Sequence, residues 1–214
     1  MKIDNITINT QSSIKMVFDK TIYFDPFKIE DDKHDADIIF ITHNHYDHMD
    51  IDSIYKVKND NTIIVAPVSM QNVIEDISFK KYIFLNPFDE INIDNVIIKT
   101  IPAYNIDKEF HPRNNNWLGY IITINGITYY IAGDTDKTKE AESVKCDIAL
   151  VPIGGHFTMD VYEANELVRI ISPKIVIPTH YGSVIGDKTL GKKLKELLSD
   201  TNIMVIEKLG DLWE

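Results

Sequence analysis

Thr42-His43-Asn44-His45-Tyr46-Asp47-His48 sets four potential metal ligands within six residues. Imidazole and carboxylate donors suit zinc, and also iron or manganese. The stretch follows Asp37–Thr42, a short apolar run of buried-strand character. In an extended or turning loop, His43 and His45 can face one way while Asp47 and His48 turn another. That geometry could serve two adjacent metal ions. The bland alternative is a solvated polar loop or a tag-like His run. An Asp among spaced His residues directly after a buried-type strand speaks against it.

Further along the chain, other apolar runs end on turn-forming residues and then on a metal-competent side chain. Tyr129–Gly133 leads to Asp134, Ile148–Gly155 to His156, and Ile175–Thr179 to His180. Strands of one sheet that end together would place these groups, and His43 after Ile38–Thr42, along one rim. Rigid strands give position and the loops after them give access.

The surrounding pattern predicts a mixed α/β (α+β) fold. Ile3–Ile8, Ile14–Phe18 and Thr21–Phe24 read as short strands joined by hairpins, followed by Asp37–Thr42 and Thr62–Ala66. Pro67–Asp76 reads as a short helix. Val96–Ile101, Leu118–Ile124 and Ile127–Ala132 follow as strands, with Asn125-Gly126 as a hairpin signal between the last two. Asp147–Pro152, Ile175–Pro178 and Ile203–Ile206 complete the strands. Val161, Ala164, Leu167, Val168 and Ile171 share one helical face behind a capping box, Asp160-x-x-Glu163. Leu190, Leu194, Leu197 and Leu198 form a second helical stripe. A β-rich first half followed by alternating strand and helix suggests sheets covered by helices.

The 214 residues suit a single domain spanning 1–214. A 44% hydrophobic content is ordinary for a globular chain. The net charge of −11 disfavours sequence-independent nucleic-acid binding, which needs clustered Lys and Arg. Bound metal ions would supply positive charge that this count omits, so a nuclease is not excluded. The one cysteine, Cys146, forbids an intrachain disulfide and fits a cytoplasmic setting. Met1–Thr10 lacks the apolar core of a signal peptide, and no run approaches the roughly 20 apolar residues of a membrane span. No membrane partner is expected, and oligomerisation is left open.

These motifs together resemble the metallo-β-lactamase superfamily of metal-dependent hydrolases, over almost the whole chain. His43-x-His45-x-Asp47-His48 matches its signature loop, Gly133-Asp134-Thr135 its later Gly-Asp motif, and Thr179-His180-Tyr181 its terminal His motif. Asp25-Pro26-Phe27 and Asp35–Ile39 fit the entry segment. The likeness is to the compact, lactonase-like branch. It implies a four-layer αββα sandwich and two divalent metal ions, zinc first, with manganese or iron as alternatives. His43 and His45 would hold the first ion, Asp47, His48 and His180 the second, and Asp134 would bridge both. Two departures stand out. Relatives often carry the first ion's third His in Pro-Ala-x-His, where this chain has Pro102-Ala103-Tyr104-Asn105. We take His111 as the replacement, with Asn105 or water as the alternative, and Asn105 then as a supporting or substrate contact. Gln11-Ser12-Ser13 stands where many relatives carry Gly-His-Ser, so any role of that His is expected to be absent.

The function implied is hydrolysis of an ester, lactone, amide or phosphodiester of a small molecule. Asp47 or Asp134 would orient the attacking water and accept its proton. His156, after two glycines, would contact substrate or stabilise developing charge; a structural loop His is the alternative. A nucleic-acid or nucleotide phosphodiesterase is the nearest enzymatic rival, although only residues 135–179 separate Asp134 from His180, too few for the inserted domain of such enzymes. From another class, the chain could be a non-catalytic metal-binding protein. His34 reads as a solvated turn residue and Cys146 as a buried thiol. Tyr181 is read as a substrate donor or as packing. Phe110, Trp117 and Tyr104 read as core or as pocket walls.

Overall fold

Ile14–Val17, Thr21–Phe24 and Ile38–Phe40 become strands because their β-branched and aromatic side chains suit a pleated, half-buried surface. A computed structural model describes residues 3–207. These divide into two units, residues 3–85 and Asn86–Glu207. Met1 and Lys2, which begin the segment read as lacking a signal peptide, lie outside the described residues.

The first unit is a six-stranded mixed sheet in the order β1 (Ile6–Ile8), β2 (Ile14–Val17), β3 (Thr21–Phe24), β4 (Ile38–Phe40), β5 (Ile63–Pro67) and β6 (Lys81–Leu85). The first three strands form the expected antiparallel meander. From β3 onward pairing is parallel. Helix α1 (Ile51–Val57) crosses from β4 to β5, and α2 (Gln71–Ile74) lies between β5 and β6. Ile54, Val57, Met70 and Ile74 pack with Ile39, Ile41, Ile64 and Ala66 into one core cluster. Phe24 pairs with Phe40 across β3 and β4, and their rings stack at 4.6 Å. The next residues of both strands therefore leave the sheet at one edge. Asp25 N–H donates to Phe40 O there at 2.9 Å.

The second unit is a seven-stranded mixed sheet in the order β13-β12-β11-β10-β9-β8-β7. Its strands are β7 (Glu90–Ile93), β8 (Val96–Pro102), β9 (Leu118–Ile124), β10 (Ile127–Ile131), β11 (Ile148–Pro152), β12 (Ile175–Thr179) and β13 (Met204–Val205). Strands β7 to β10 pair antiparallel and β10 to β13 parallel. Every residue of β11 and β12 is buried, which is why both read as continuous apolar runs. Asn125 and Gly126 have φ of 51° and 74°, the left-handed pair that a two-residue hairpin needs. Helix α3 (Lys139–Glu142) precedes β11, α4 (Val161–Ile171) follows it, and α5 (Leu190–Leu197) precedes β13. Among the described residues no helix is long and apolar enough to cross a membrane.

Several expectations need correction. The helix expected over Pro67–Asp76 is a 3-10 turn, Val68–Met70, followed by one α-turn. Pro67 is extended (ψ 143°), and neither turn has a side-chain cap. The first half is β-rich as expected, although α1 was not foreseen between its parallel strands. β6 and β7 escaped the sequence pattern because both are edge strands with mostly exposed or half-buried residues, so no clean alternation marks them. α1 and α3 are too short for a recognisable stripe.

Helix α4 matches the sequence closely. Its five buried residues are those expected, and Asp160 accepts from Tyr162 N–H and Glu163 N–H, both at 2.8 Å. Glu163 accepts from Asp160 N–H at 3.0 Å. Replacing Asp160 by Ala is expected to cost about 1 kcal/mol and lower the melting temperature by about 2–4 °C. Asp160→Asn should stay near the parent in the same calorimetric scan.

Candidate metal centre

Asp25, at the end of β3, organises the ligand loop that follows β4. Thr42 donates its N–H to Asp25 Oδ1 at 2.8 Å and its hydroxyl to Asp25 Oδ2 at 2.7 Å. Having given its hydrogen away, Thr42 Oγ1 can only accept, so His43 Nδ1, 2.9 Å away, carries the hydrogen between them. His48 Nδ1 lies 2.7 Å from Asp25 Oδ2 and donates to that carboxylate. In a neutral ring, both imidazoles then keep the lone pair on Nε2. His43 Nε2 is 3.1 Å from His45 Nδ1, and His48 Nε2 is 3.7 Å from Asp47 Oδ2. Gln11 donates its side-chain N–H to Asp47 Oδ2 at 3.3 Å. The chain turns sharply here, with His48 and Met49 both donating their N–H to His45 O.

The loop is largely buried. His43, Asp47 and His48 are withdrawn from solvent and His45 is half-buried. Burial pushes the Asp25 carboxyl above the usual range, against the pull of His48 and the Thr42 bonds. Gln11 and Asp25 adopt φ of 50° and 44°, a left-handed conformation that non-glycine residues hold only when their surroundings compel it.

In the second unit three candidate site residues leave one edge of the sheet. Asp134 follows β10, His156 follows β11 and His180 follows β12, three parallel neighbours. This is the rim read from the sequence, except that His43 belongs to the other sheet. Asp134 Oδ2 lies 3.3 Å from His111 Nε2 and 3.1 Å from His180 Nε2. One carboxylate oxygen thus serves two imidazoles, all three side chains being buried. His111 Nδ1 sits 3.0 Å from Asn105 Oδ1, and its ring meets the Trp117 ring edge-on at 5.5 Å. Asn105 is therefore the partner of His111.

Glycine is required at one point of this rim. A Cβ on Gly154 would overlap the carbonyl oxygen of His180, and His180 itself has a φ of 54°. The following loop returns to the rim, where Met159 N–H donates to Thr135 O at 3.0 Å.

His156 is exposed and left-handed (φ 53°). It stands in a ring cluster, 5.3 Å from Phe110 and 4.5 Å from Phe157. Phe110 is exposed and Trp117 buried. Tyr104 is half-buried and donates to Glu140 at 2.8 Å. Tyr181 is fully buried, and burial raises its hydroxyl pKa well above the usual range. His34 is exposed, as expected. Cys146 is half-buried rather than buried, and desolvation pushes its thiol up to about 12.

Three contributors were missed in the sequence. Gln11 supplies a contact to the ligand loop where none was expected. Asp136, two residues after Asp134, accepts from Asn105 at 3.0 Å and from Lys108 at 2.5 Å. The acidic residue beside the Gly-Asp motif was a usable signal for Asp136; for Gln11 and Lys108 the linear sequence holds none.

Clustered imidazoles and carboxylates, with the His43, His48 and His111 rings held from behind, make a donor set that fits divalent cations. All seven residues expected as ligands, His43, His45, Asp47, His48, His111, Asp134 and His180, are among the described residues able to hold a metal ion. The Beta-lactamase superfamily domain model matches residues 6–180, and the chain belongs to that family. More particularly, it is a metal-dependent hydrolase with the metallo-β-lactamase fold. A UPF0173 metal-dependent hydrolase from Thermococcus onnurineus is 31% identical across 95% of this chain and 96% of its own. The solved structure of a Parabacteroides distasonis protein, assigned there as a metal-dependent hydrolase, is 34% identical with a TM-score of 0.82, covering 96% of this chain and 93% of that one. Igni18, a metallo hydrolase from Ignicoccus hospitalis, shares the fold at a TM-score of 0.77 and 22% identity, covering 96% and 95%.

Asp25→Asn offers a direct check on the tautomer argument. With Asn Oδ1 kept on Thr42 N–H, its amide nitrogen would face His48 Nδ1 and drive the ring hydrogen to Nε2. Metal affinity is expected to fall about 10- to 100-fold, measured by competition with a chelating dye.

Proposed function

We propose that His43, His45 and His111 hold one divalent ion, that Asp47, His48 and His180 hold a second, and that Asp134 bridges them. The two units would then act as one catalytic domain spanning residues 1–214. The observation that carries this reading is the single oxygen, Asp134 Oδ2, set 3.3 Å from His111 Nε2 and 3.1 Å from His180 Nε2. A bridging carboxylate needs a ligand of each ion beside it. Zinc suits the donor set best, with manganese or iron as alternatives.

When bound, a pair of divalent ions lowers the pKa of water towards ~7 and polarises the oxygen of the group under attack. The residues of the chain do the rest. Asp47, steadied by Gln11, orients the attacking water and receives its proton. His156 reaches the substrate from the exposed rim and stabilises charge developing there. Phe110 and Phe157 line that rim with apolar surface. The substrate is a small molecule with an ester, lactone, amide or phosphodiester centre. Nucleic acid is disfavoured by the charge of −11. The single cysteine is compatible with a cytoplasmic setting.

Metal analysis of the purified protein, coupled to a panel of lactone, thioester and phosphodiester substrates, tests the proposal. Two ions per chain and metal-dependent turnover are expected. His45→Ala and Asp134→Ala should each lower turnover more than about 100-fold, beyond the usual cost of losing a supporting contact, with the fold intact by circular dichroism. Metal binding without turnover on any substrate would favour the non-catalytic alternative.

A further inference from the structure

We infer that Lys108, Asp136 and Asn105 form a positioning chain that holds the ring hydrogen of His111 on Nδ1 and thereby sets the affinity of the first metal site. The inference rests on His111 being a metal ligand. Asn105 is buried, and three neighbours dictate which way its amide faces. Its Nδ2 lies 3.0 Å from Asp136 Oδ1 and 2.9 Å from Phe157 O, and both of those oxygens can only accept. Its Oδ1 receives the backbone N–H of His111 at 3.1 Å, which can only donate. A flipped amide would lose all three bonds. Asn105 Oδ1 therefore faces His111 Nδ1 at 3.0 Å as an acceptor, and the ring answers with an N–H. In the neutral ring this leaves the lone pair on Nε2, the atom beside Asp134.

Asp136 is the anchor of this arrangement. Its other oxygen accepts from Ile106 N–H at 2.9 Å. Lys108 Nζ bonds Asp136 Oδ1 at 2.5 Å and Thr158 O at 2.9 Å, supplying the countercharge for a carboxylate that is 5% exposed. Lys108 is itself 26% exposed and lies 3.8 Å from Glu163 at the start of α4. The chain thus runs from a partly exposed ammonium to a buried ligand, and it fastens the 105–111 segment to the 157–158 segment. None of its three members needs to touch the ion.

The test is long-range 15N–1H NMR of the histidine rings in metal-free protein, together with stepwise metal titration. The parent should show His111 with its hydrogen on Nδ1. Asn105→Leu should lose that signature and weaken the first ion about 10- to 100-fold, while the second ion's affinity changes less than about 3-fold. Lys108→Met, at the partly exposed end, should move both readouts in the same direction by a smaller amount, and Lys108→Arg should restore them. It also serves as the probe if Asn105→Leu does not fold. An unchanged His111 tautomer in either variant, or equal loss of both ions, would overturn the inference. His111→Ala separates this from failure of the underlying reading: if that variant keeps both ions at parental affinity, His111 is not a ligand at all.

Discussion

The carboxyl group of Asp25 is the point on which the shape of the candidate ligand loop depends. It accepts a backbone N–H, a hydroxyl and an imidazole N–H from a loop that begins 17 residues further on. Each bond constrains something different. The backbone bond fixes where the loop leaves β4, the hydroxyl bond orients Thr42 towards His43, and the imidazole bond orients His48. One buried side chain thus orients two histidines, directly and through Thr42. The parallel pairing of β3 with β4 makes this arrangement available, because it brings the end of one strand beside the end of the other.

Much of this was legible in the sequence, for an identifiable reason. Residues that must be buried on both faces, as in β11 and β12, read as apolar runs, and a candidate site residue follows each, His156 after β11 and His180 after β12. The face of α4 and its capping box were equally plain, because helical spacing and capping chemistry are local. What failed to show was either weakly buried or made by contacts distant in sequence. Edge strands β6 and β7 carry too few buried residues to leave a pattern. Gln11 reaches Asp47 across 36 positions, and nothing in Gln11-Ser12-Ser13 announces that contact.

Position 105 shows how a shifted side chain can still serve one site. The turn after β8 carries an amide where a ring was expected, and the ring lies six residues on. Asn105 N–H donates to His111 O at 2.8 Å while the Asn105 side chain accepts from His111 N–H. The two residues clasp each other through backbone and side chain, closing the intervening segment into a small loop. The imidazole therefore does not depend on a strand end for its position. It depends on the closure of that loop, which the buried Asp136 secures.

Gly154 ties two jobs together. No side chain fits between it and the backbone of His180, and only one residue separates it from His156. The segment that presents His156 and Phe157 outward is thus threaded against the backbone of the residue that faces Asp134. Changes to the outer part of that segment leave the backbone of His180 undisturbed so long as residue 154 has no Cβ. Within this segment, tolerance to change would accordingly begin beyond the glycine, and a library that varies it should start at residue 156.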